Sequence, residues 1–391
     1  MSRSLLVITS SFPRGARDVA GHFVEQWCRA LVDCGWEIDV LCWRGPGAMD
    51  REVCRGLAVR FVPYAWRSGE RLFFGAGAPE NLEGNPARAL LAVPAAASMV
   101  GAALRAMGQK RYDAVVGHWL VPGGAIARFV GGLVGVPSAV VGHSGGVHLL
   151  RSLPGEVARP LVRWLTDGLT TVPTQRLCDQ LQDLGAGSGV QVAPMGFAPS
   201  SAQIDESPAT PKLQLGFLGR LVPIKGLPVV FRAVERLRGE GLDVGLTIVG
   251  DGPCRRRWED EAGEGVRFAG TKFGDEKWEL LRRWDALVMP SKPRANGRHE
   301  GLPVSLLEAS SVGTPPLVSG VPGVEDWLAR PQHQLVAAGD VEAWTKAIRW
   351  VQSLDGRQSS GLGRATRSSV RDLAWPKYGQ WWDRWLHGLS R

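Results

Sequence analysis

The chain has 391 residues, of which 44% are hydrophobic and 21% charged, and its formal net charge is +8. This length predicts two domains of ordinary size, and the composition is typical of a folded globular protein rather than a disordered or fibrous one. The positive charge is spread over both halves. It therefore argues against nucleic acid as a partner and favours anionic small ligands or a negative membrane surface.

Cysteine spacing and apolar runs bear on the cellular compartment. The six cysteines show no C-x-x-C spacing, so we expect neither a disulfide framework nor a zinc site, and a reducing compartment fits. The first apolar run, 5–8, is too short for a secretory signal. The alanine-rich stretch 89–104 contains Pro94 and falls short of the ~20 residues that span a bilayer. We expect it to be a buried helix. We expect the protein to be cytoplasmic, either free or at the inner face of the membrane.

The first half of the chain alternates apolar runs with helical periodicity. Phe23, Trp27 and Leu31 share one face of a predicted helix over 22–33. Apolar runs predict short buried strands at 4–9, 38–42, 114–116, 138–141 and 169–172. This alternation predicts a doubly wound parallel sheet.

A second alternating series follows residues 198–211, which hold three prolines and no apolar periodicity and so predict a linker. We therefore expect domains at 1–197 and 212–370, each binding ligand at the carboxyl ends of its strands. The predicted strands of the second domain are 215–218, 245–249, 266–269, 286–289 and 316–319, and the predicted helices are 227–238, 256–262 and 340–354.

Two glutamates surround the predicted start of a helix near residue 303. Pro303 suits the first turn of that helix, so Glu300 lies in the preceding loop and Glu308 within the helix. Free backbone N–H groups and the positive end of the dipole make a helix start a phosphate site. A carboxylate beside it can accept hydrogen bonds from sugar hydroxyls. The same spacing also fits an ordinary helix with two solvated glutamates.

Two cations follow the first predicted strand of the second domain. Arg220 and Lys225 stand between Gly219 and Gly226, after a strand and before a helix. Arginine offers a fork of donors and lysine a point charge, so together they can clamp a pyrophosphate. The alternative is a solvated turn with two surface charges.

In their order and spacing, these motifs resemble the C-terminal half of the family 4 (group 1) retaining glycosyltransferases. The family patterns G-R-L-x-x-x-K-G, I-V-G-x-G-P and E-G-x-P-x-x-x-x-E are matched at 219–226, 248–253 and 300–308. Upstream, Gly21 and His143 stand where that family has markers, and the resemblance spans roughly residues 4–330.

The resemblance implies an α/β chain of the GT-B fold, with two Rossmann-like doubly wound domains facing each other across a cleft. It implies an acceptor-binding first domain and a nucleotide-sugar-binding second domain. The final segment, 371–391, carries Trp381 and Trp385 on one helical face. In the family such a helix packs back on the first domain; interfacial membrane contact is the alternative.

The resemblance also implies roles for individual residues. Arg220 and Lys225 would bind the donor diphosphate, and Glu308 would hold the ribose hydroxyls. Glu300 would contact the donor sugar and phosphate together with the loop that follows it. The remaining donor-side residues are Gly301, Leu302 and Pro303 of that loop, Gly21 over the phosphates, and Gly270, Thr271 and Lys272 beside the nucleobase.

On the side of the first domain, His143 would lie beside the reacting sugar and hydrogen-bond it. His118 and Trp119 could line the acceptor, although packing is equally consistent with their positions. Where many family members have H-G-x-D, this chain has His143-Ser144-Gly145-Gly146. The missing acid leaves a changed sugar preference or a weakened enzyme open.

The chemistry implied is mostly electrostatic stabilisation of the departing diphosphate. The sequence contains no D-x-D, so we expect no metal, and no cofactor beyond the nucleotide sugar itself. The acceptor would be a glycan or a lipid-linked sugar. Residues 151–165 combine arginines with apolar side chains, which fits either contact with an anionic membrane or an ordinary surface helix.

Three other functions compete with sugar transfer. A non-catalytic sugar-nucleotide-binding or scaffold protein is disfavoured by the intact Arg220, Lys225, Glu300 and Glu308. A phosphorylase or a sugar-nucleotide epimerase of the same fold is the second alternative. A phosphorylase would need a lysine that binds pyridoxal phosphate, and no motif in the sequence indicates one. A nicotinamide-dependent oxidoreductase is disfavoured because no G-x-G-x-x-G follows the first strand.

Overall fold

The computed structural model describes residues 3–15, 18, 20–74, 77–198, 212–294, 299–375 and 377–390. Apart from residue 198, the predicted linker 198–211 lies outside the described residues. The chain forms two compact units. The first comprises Met1–Gly196 and Trp375–Arg391, and the second comprises Phe197–Ala374.

The first unit is built on an eight-stranded sheet. Its strands are β1 (Arg3–Thr9), β2 (Trp36–Trp43), β3 (Arg51–Cys54), β4 (Leu57–Val62), β5 (Ala114–His118), β6 (Ser138–Val141), β7 (Thr170–Val172) and β8 (Val190–Val192). Their order is β3-β4-β2-β1-β5-β6-β7-β8, and all pairs are parallel except β3 with β4. The direction of winding therefore reverses between β1 and β5, where the carboxyl ends of the strands leave a crevice for ligands.

In the first part of the chain, the α-helices of the first unit are α1 (His22–Asp33), α2 (Ala78–Gly84), α3 (Ala92–Gln109), α4 (Ala125–Val134), α5 (Ser144–Arg151), α6 (Gly155–Thr166) and α7 (Gln175–Asp183). The expectation that 89–104 forms a buried helix is wrong in part. Helix α3 buries one stripe, including Met99 and Ala103, but Val93 is 77% exposed. Alanines let one face pack tightly and leave the other face open.

Helix α3 is also the one described helix that meets a length-and-composition criterion for crossing a membrane. With the turn before it, it forms a 24-residue apolar segment, Pro86–Gln109, and 28% of its most apolar window is buried. Core helices of soluble proteins meet the same criterion, but those are mostly buried.

The second unit holds a five-stranded parallel sheet. Its strands are β9 (Leu213–Leu218), β10 (Val244–Val249), β11 (Val266–Gly270), β12 (Ala286–Pro290) and β13 (Pro316–Ser319). The order β11-β10-β9-β12-β13 places the reversal of winding between β9 and β12. The doubly wound prediction is thus confirmed in both units.

The remaining helices are α8 (Pro228–Gly239), α9 (Arg255–Glu261), α10 (Gly274–Arg283), α11 (Val304–Ser311), α12 (Pro331–Gln334), α13 (Val341–Gln352), α14 (Gly356–Val370) and α15 (Lys377–His387). Helix α15 belongs to the first unit and packs on α1. Trp382 of α15 meets Trp27 of α1 edge to face, with ring centroids 5.6 Å apart.

Candidate active site

Aromatic rings surround His143, which follows β6, one strand beyond the reversal of the first sheet. His143 directly precedes α5, and Trp119 directly follows β5. The ring centroids of Trp119 and Phe23 lie 4.6 Å and 5.4 Å from that of His143. Trp119 has a φ of 65°, a left-handed conformation that is strained for a bulky residue. Strain of this kind concentrates at functional sites, and here the strained residue carries a ring beside His143.

The imidazole of His143 is neutral at physiological pH. Burial lowers the pKa of His143 to about 3. Burial, and then the neighbouring His143, also hold the pKa of His118 well below its usual value. The two rings stack with centroids 5.7 Å apart, and Nδ1 of His118 lies 3.4 Å from Nε2 of His143. His143 is thus equipped as a hydrogen-bonding group rather than as a cation.

The structure corrects the expectation that His118 lines an acceptor surface. The side chain of His118 is fully buried at the end of β5. Its ring lies between those of Trp27 and His143, so it packs against His143 from the interior of the first unit. Trp119 is partly exposed, and its predicted acceptor-side role stays a prediction.

Gly21 is fixed at the start of α1 by geometry. It has a φ of 71°, and a Cβ at this position would lie 2.3 Å from the carbonyl oxygen of Ser11. Only glycine fits such a left-handed, close approach. The residue before α1 therefore lies directly against Ser11, which follows β1. The predicted contact of Gly21 with phosphates remains a prediction.

In the second unit, two separate motifs meet at one site. Nζ of Lys225 lies 2.5 Å from Oε1 of Glu300, and the hydroxyl of Ser291 donates to Oε2 of Glu300. The side chains of Lys225 and Glu300 are only 10% and 15% exposed. The alternative interpretation of both motifs as solvated surface charges is therefore wrong for these two residues.

The sheet explains why Lys225 and Glu300 meet. Lys225 follows β9 and Ser291 follows β12, and these strands are neighbours at the reversal of winding. Gly226 has a φ of 62°, and a Cβ there would lie 2.2 Å from the carbonyl oxygen of Pro290. The loop after β9 thus lies directly against the end of β12.

The loop between Glu300 and α11 leads straight into the start of that helix. Gly301, Leu302 and Pro303 are partly buried, and Pro303 immediately precedes the first helical residue, Val304. The first N–H groups of a helix have no partner within it, so this end suits an anion. Arg220, at the end of β9, is likewise partly buried.

Glu308 carries a partner that the sequence does not mark. Nζ of Lys277 on α10 lies 2.8 Å from Oε1 of Glu308 on α11. Their side chains are 17% and 9% exposed. A carboxylate accepts several hydrogen bonds, so Glu308 keeps capacity for hydroxyl groups. Only tertiary packing of α10 on α11 brings the two residues together.

Gly270, Thr271 and Lys272 lie where β11 ends. Gly270 is the last residue of β11, with a φ of 69°. Lys272 pairs with Glu276 at 3.2 Å, and Thr271 is exposed. This places them on the strand at the edge of the sheet, and their predicted contact with the nucleobase stays a prediction.

Within the described ranges, no group of three or more histidine, cysteine, aspartate or glutamate side chains lies close enough to hold a metal ion. Metal-independence of the proposed reaction stays a prediction.

Two family matches agree with this geometry. Residues 212–353 match the glycosyl transferases group 1 family, and residues 20–196 match the glycosyl transferase 4-like domain. The matched segments carry the Lys225–Glu300 pair and His143, respectively. The chain belongs to the group 1 (family 4) glycosyltransferases.

Curated relatives carry related names. The chain is 31% identical to 2-deoxystreptamine glucosyltransferase of Streptomyces kanamyceticus over 60% of this chain and 65% of that protein. It is 24% identical to the putative teichuronic acid biosynthesis glycosyltransferase TuaC of Bacillus subtilis over 88% of each. The alignment with the glucosyltransferase thus spans less than two thirds of that protein's length.

Solved structures share the fold. Sucrose-phosphate synthase from Thermosynechococcus elongatus matches over 99% of both chains with a TM-score of 0.74 and 19% identity. HepE of Anabaena, in complex with UDP-glucose, matches over 98% of this chain and 99% of that chain, with a TM-score of 0.69 and 12% identity. The GT-B prediction is confirmed at the level of fold.

Proposed function

We propose that this protein transfers a hexose-type sugar from a nucleoside-diphosphate sugar to a glycan or lipid-linked acceptor, in the synthesis of a polysaccharide or glycoconjugate. The observation that carries the proposal is the Lys225–Glu300 pair, supported by Ser291, at the reversal of the second sheet. A cation and a carboxylate held there beside a helix start suit a sugar diphosphate.

Lys225 supplies positive charge to the leaving diphosphate. Its ammonium group has three donors, and in the described part of the chain Glu300 is the carboxylate that pairs with it. Two donors remain for phosphate oxygens, and Arg220 and the start of α11 add to them. This charge stabilises the diphosphate as it departs, so the proposal needs neither a metal nor a cofactor.

In this proposal, Glu300 and Glu308 bind different parts of the nucleotide-sugar donor. Glu300, held by Lys225 and Ser291, accepts from hydroxyls of the sugar. Glu308, held by Lys277, accepts from hydroxyls of the ribose. The base then lies toward the end of β11. The first unit contributes neutral His143 as a hydrogen-bonding partner of the sugar, and the family resemblance supports retention of configuration.

We also propose that the segment 151–165, which includes most of α6, contacts an anionic bilayer at the inner face of the cytoplasmic membrane. Val157 and Trp164 are 51% and 42% exposed, and Arg159 and Arg163 are exposed on the same helix. Apolar side chains flanked by arginines suit the interface of an anionic membrane. Trp164→Ser together with Arg163→Gln is expected to lower sedimentation with phosphatidylglycerol vesicles; equal sedimentation of variant and wild type would contradict this contact.

A thermal-shift screen tests the donor proposal. Purified protein is heated with UDP, GDP, ADP, dTDP and NAD, because a ligand that binds only the native state raises the unfolding midpoint. One nucleoside diphosphate is expected to give the largest shift, and the matching nucleotide sugar is expected to support transfer to an added acceptor. Binding without any turnover of the nucleotide sugar would favour a scaffold protein, and a response to NAD alone would favour an oxidoreductase.

A further inference from the structure

Four rings form a column that runs from the last helix to His143. Trp382 of α15 meets Trp27 of α1 with centroids 5.6 Å apart and planes at 85°. Trp27 meets His118 at 4.8 Å and 81°, and His118 stacks on His143 at 5.7 Å. Trp27, His118 and Trp382 are each fully buried. The column therefore has no room to shift without moving His143.

The hydrogen bond at the top of the column couples the two histidines. Nδ1 of His118 and Nε2 of His143 are 3.4 Å apart. Between two neutral imidazoles, one of these nitrogens must carry the proton and the other must accept it. The tautomer of His118 therefore decides whether the remaining nitrogen of His143, Nδ1, is a hydrogen-bond donor or an acceptor.

The burial of the second nitrogen of His118 indicates which tautomer is present. Nε2 of His118 is buried and has no hydrogen-bond partner among the described residues. A buried N–H group without an acceptor is rarer and less favourable than a buried nitrogen lone pair without a donor. His118 then carries its proton on Nδ1 and donates to Nε2 of His143. The proton of His143 must lie on Nδ1.

We propose that His118 is a positioning residue that fixes His143 in the Nδ1–H tautomer, and that Trp27 and Trp382 hold His118 in place. Nδ1–H of His143 is then the donor available to the sugar. This inference rests on the proposed function for the statement that His143 contacts the sugar. It adds α15, from the far end of the chain, to the support of that contact.

Tautomers are measured directly, and without reference to activity, by two-bond ¹⁵N–¹H correlation spectra of histidine-labelled protein. Wild type is expected to show His143 protonated on Nδ1, with no change between pH 6 and 8. His118→Leu, which fills similar space without a donor, is expected to shift His143 toward the Nε2–H form. Nε2 protonation of His143 in wild type would overturn the inference.

Kinetics of the same variants test the positioning role. His118→Leu is expected to lower kcat about tenfold while leaving KM for the donor unchanged. His118→Asn places an amide donor near the position of Nδ1, and it is expected to recover most of that loss. Equal loss in both variants would indicate simple packing and contradict the positioning role. If wild type itself transfers no sugar while the tautomer is as expected, the proposed function fails and the coupling of the histidines stands.

Adjacent tryptophans of α15 offer a matched pair for the lower end of the column. Trp382 contacts Trp27 of α1, whereas the ring contacts of Trp381 lie within α15, with Tyr378, Trp382 and Trp385. Trp382→Leu is expected to shift the His143 signals and lower kcat, and Trp381→Leu is expected to do neither. Unchanged His143 signals in folded Trp382→Leu would contradict the role of α15.

Discussion

At the scale of single residues, Glu308 shares its carboxylate with Lys277, and the exposed fraction of both side chains is small. The ion pair holds the carboxylate in place where we expect ribose hydroxyls. Removing one partner of a buried pair leaves the other charge uncompensated. The nucleoside end of the site can therefore be tested apart from the phosphate end.

Lys277→Met is expected to weaken binding of the preferred nucleoside diphosphate by about five- to tenfold, because Glu308 loses the hydrogen bond that orients it. Binding of inorganic pyrophosphate is expected to stay unchanged. Calorimetric titration measures both. Lys277→Arg keeps the charge and serves as the control. An equal loss for pyrophosphate would place Lys277 at the phosphates instead.

Motif spacing predicted that Lys225 and Glu300 lie at one site, because loops after neighbouring parallel strands meet at one edge of a sheet, and their contact confirms this proximity. It could not identify Lys277, whose position depends on how α10 packs on α11. It left both an acceptor-side and a packing role open for His118, since a polar residue after a buried strand can point into the core or out of it. Distances between elements are set by packing, and a single sequence does not encode them locally.

At the scale of elements, the start of α1 depends on the conformation of Gly21. Gly21 and Gly35 flank α1 and both have positive φ values, 71° and 92°. A Cβ at Gly21 would collide with the carbonyl of Ser11, whereas a Cβ at Gly35 would have nothing within 4 Å. The two positions separate backbone strain from steric collision.

Gly35→Ala is expected to lower the free energy of unfolding by about 1 kcal/mol through its backbone conformation alone. Gly21→Ala is expected to cost at least about 1 kcal/mol more, because the loop after β1 must also move. Urea unfolding measures the difference. An equal decrease in the free energy of unfolding for both variants would show that the loop after β1 moves aside without a measurable energetic cost.

The central elements were predictable because buried parallel strands and amphipathic helices leave strong periodicities. The helix at His22–Asp33 and the strands at Ser138–Val141 and Pro316–Ser319 have the predicted bounds. The hairpin of β3 and β4 was not predicted; β3 has only four residues and buries none of them fully, so it leaves little apolar pattern. Helix α3 was predicted as buried because its alanines are apolar, although their small size lets many of them stay exposed.

At the scale of the whole molecule, two neutral histidines, the fully buried His118 and the partly buried His143, make stability depend on pH. Burial lowers the pKa of His143 to about 3 and holds that of His118 well below its usual value. In the unfolded chain both titrate near the usual histidine pKa of about 6.5. Below that pH the unfolded state binds more protons than the folded state, so the stability present at neutral pH is lost as the pH falls.

The free energy of unfolding is expected to fall by up to about 1.4 kcal/mol per histidine for each pH unit below about 6.5. The double variant His118→Asn, His143→Asn is expected to show a shallower slope between pH 6.5 and 5. Urea titrations at several pH values measure both slopes. Equal slopes for variant and wild type would mean that burial does not lower the pKa of the two histidines in the folded protein.

The central claim is that a nucleotide-sugar diphosphate binds at Lys225. Its most direct test is calorimetric titration of the preferred nucleoside diphosphate into wild type, Lys225→Met and Lys346→Met, whose lysine is 71% exposed on α13. Loss of a charged hydrogen bond is expected to weaken binding by roughly 10- to 100-fold in Lys225→Met, and Lys346→Met is expected to bind as wild type does. Equal affinity in all three proteins would contradict the site.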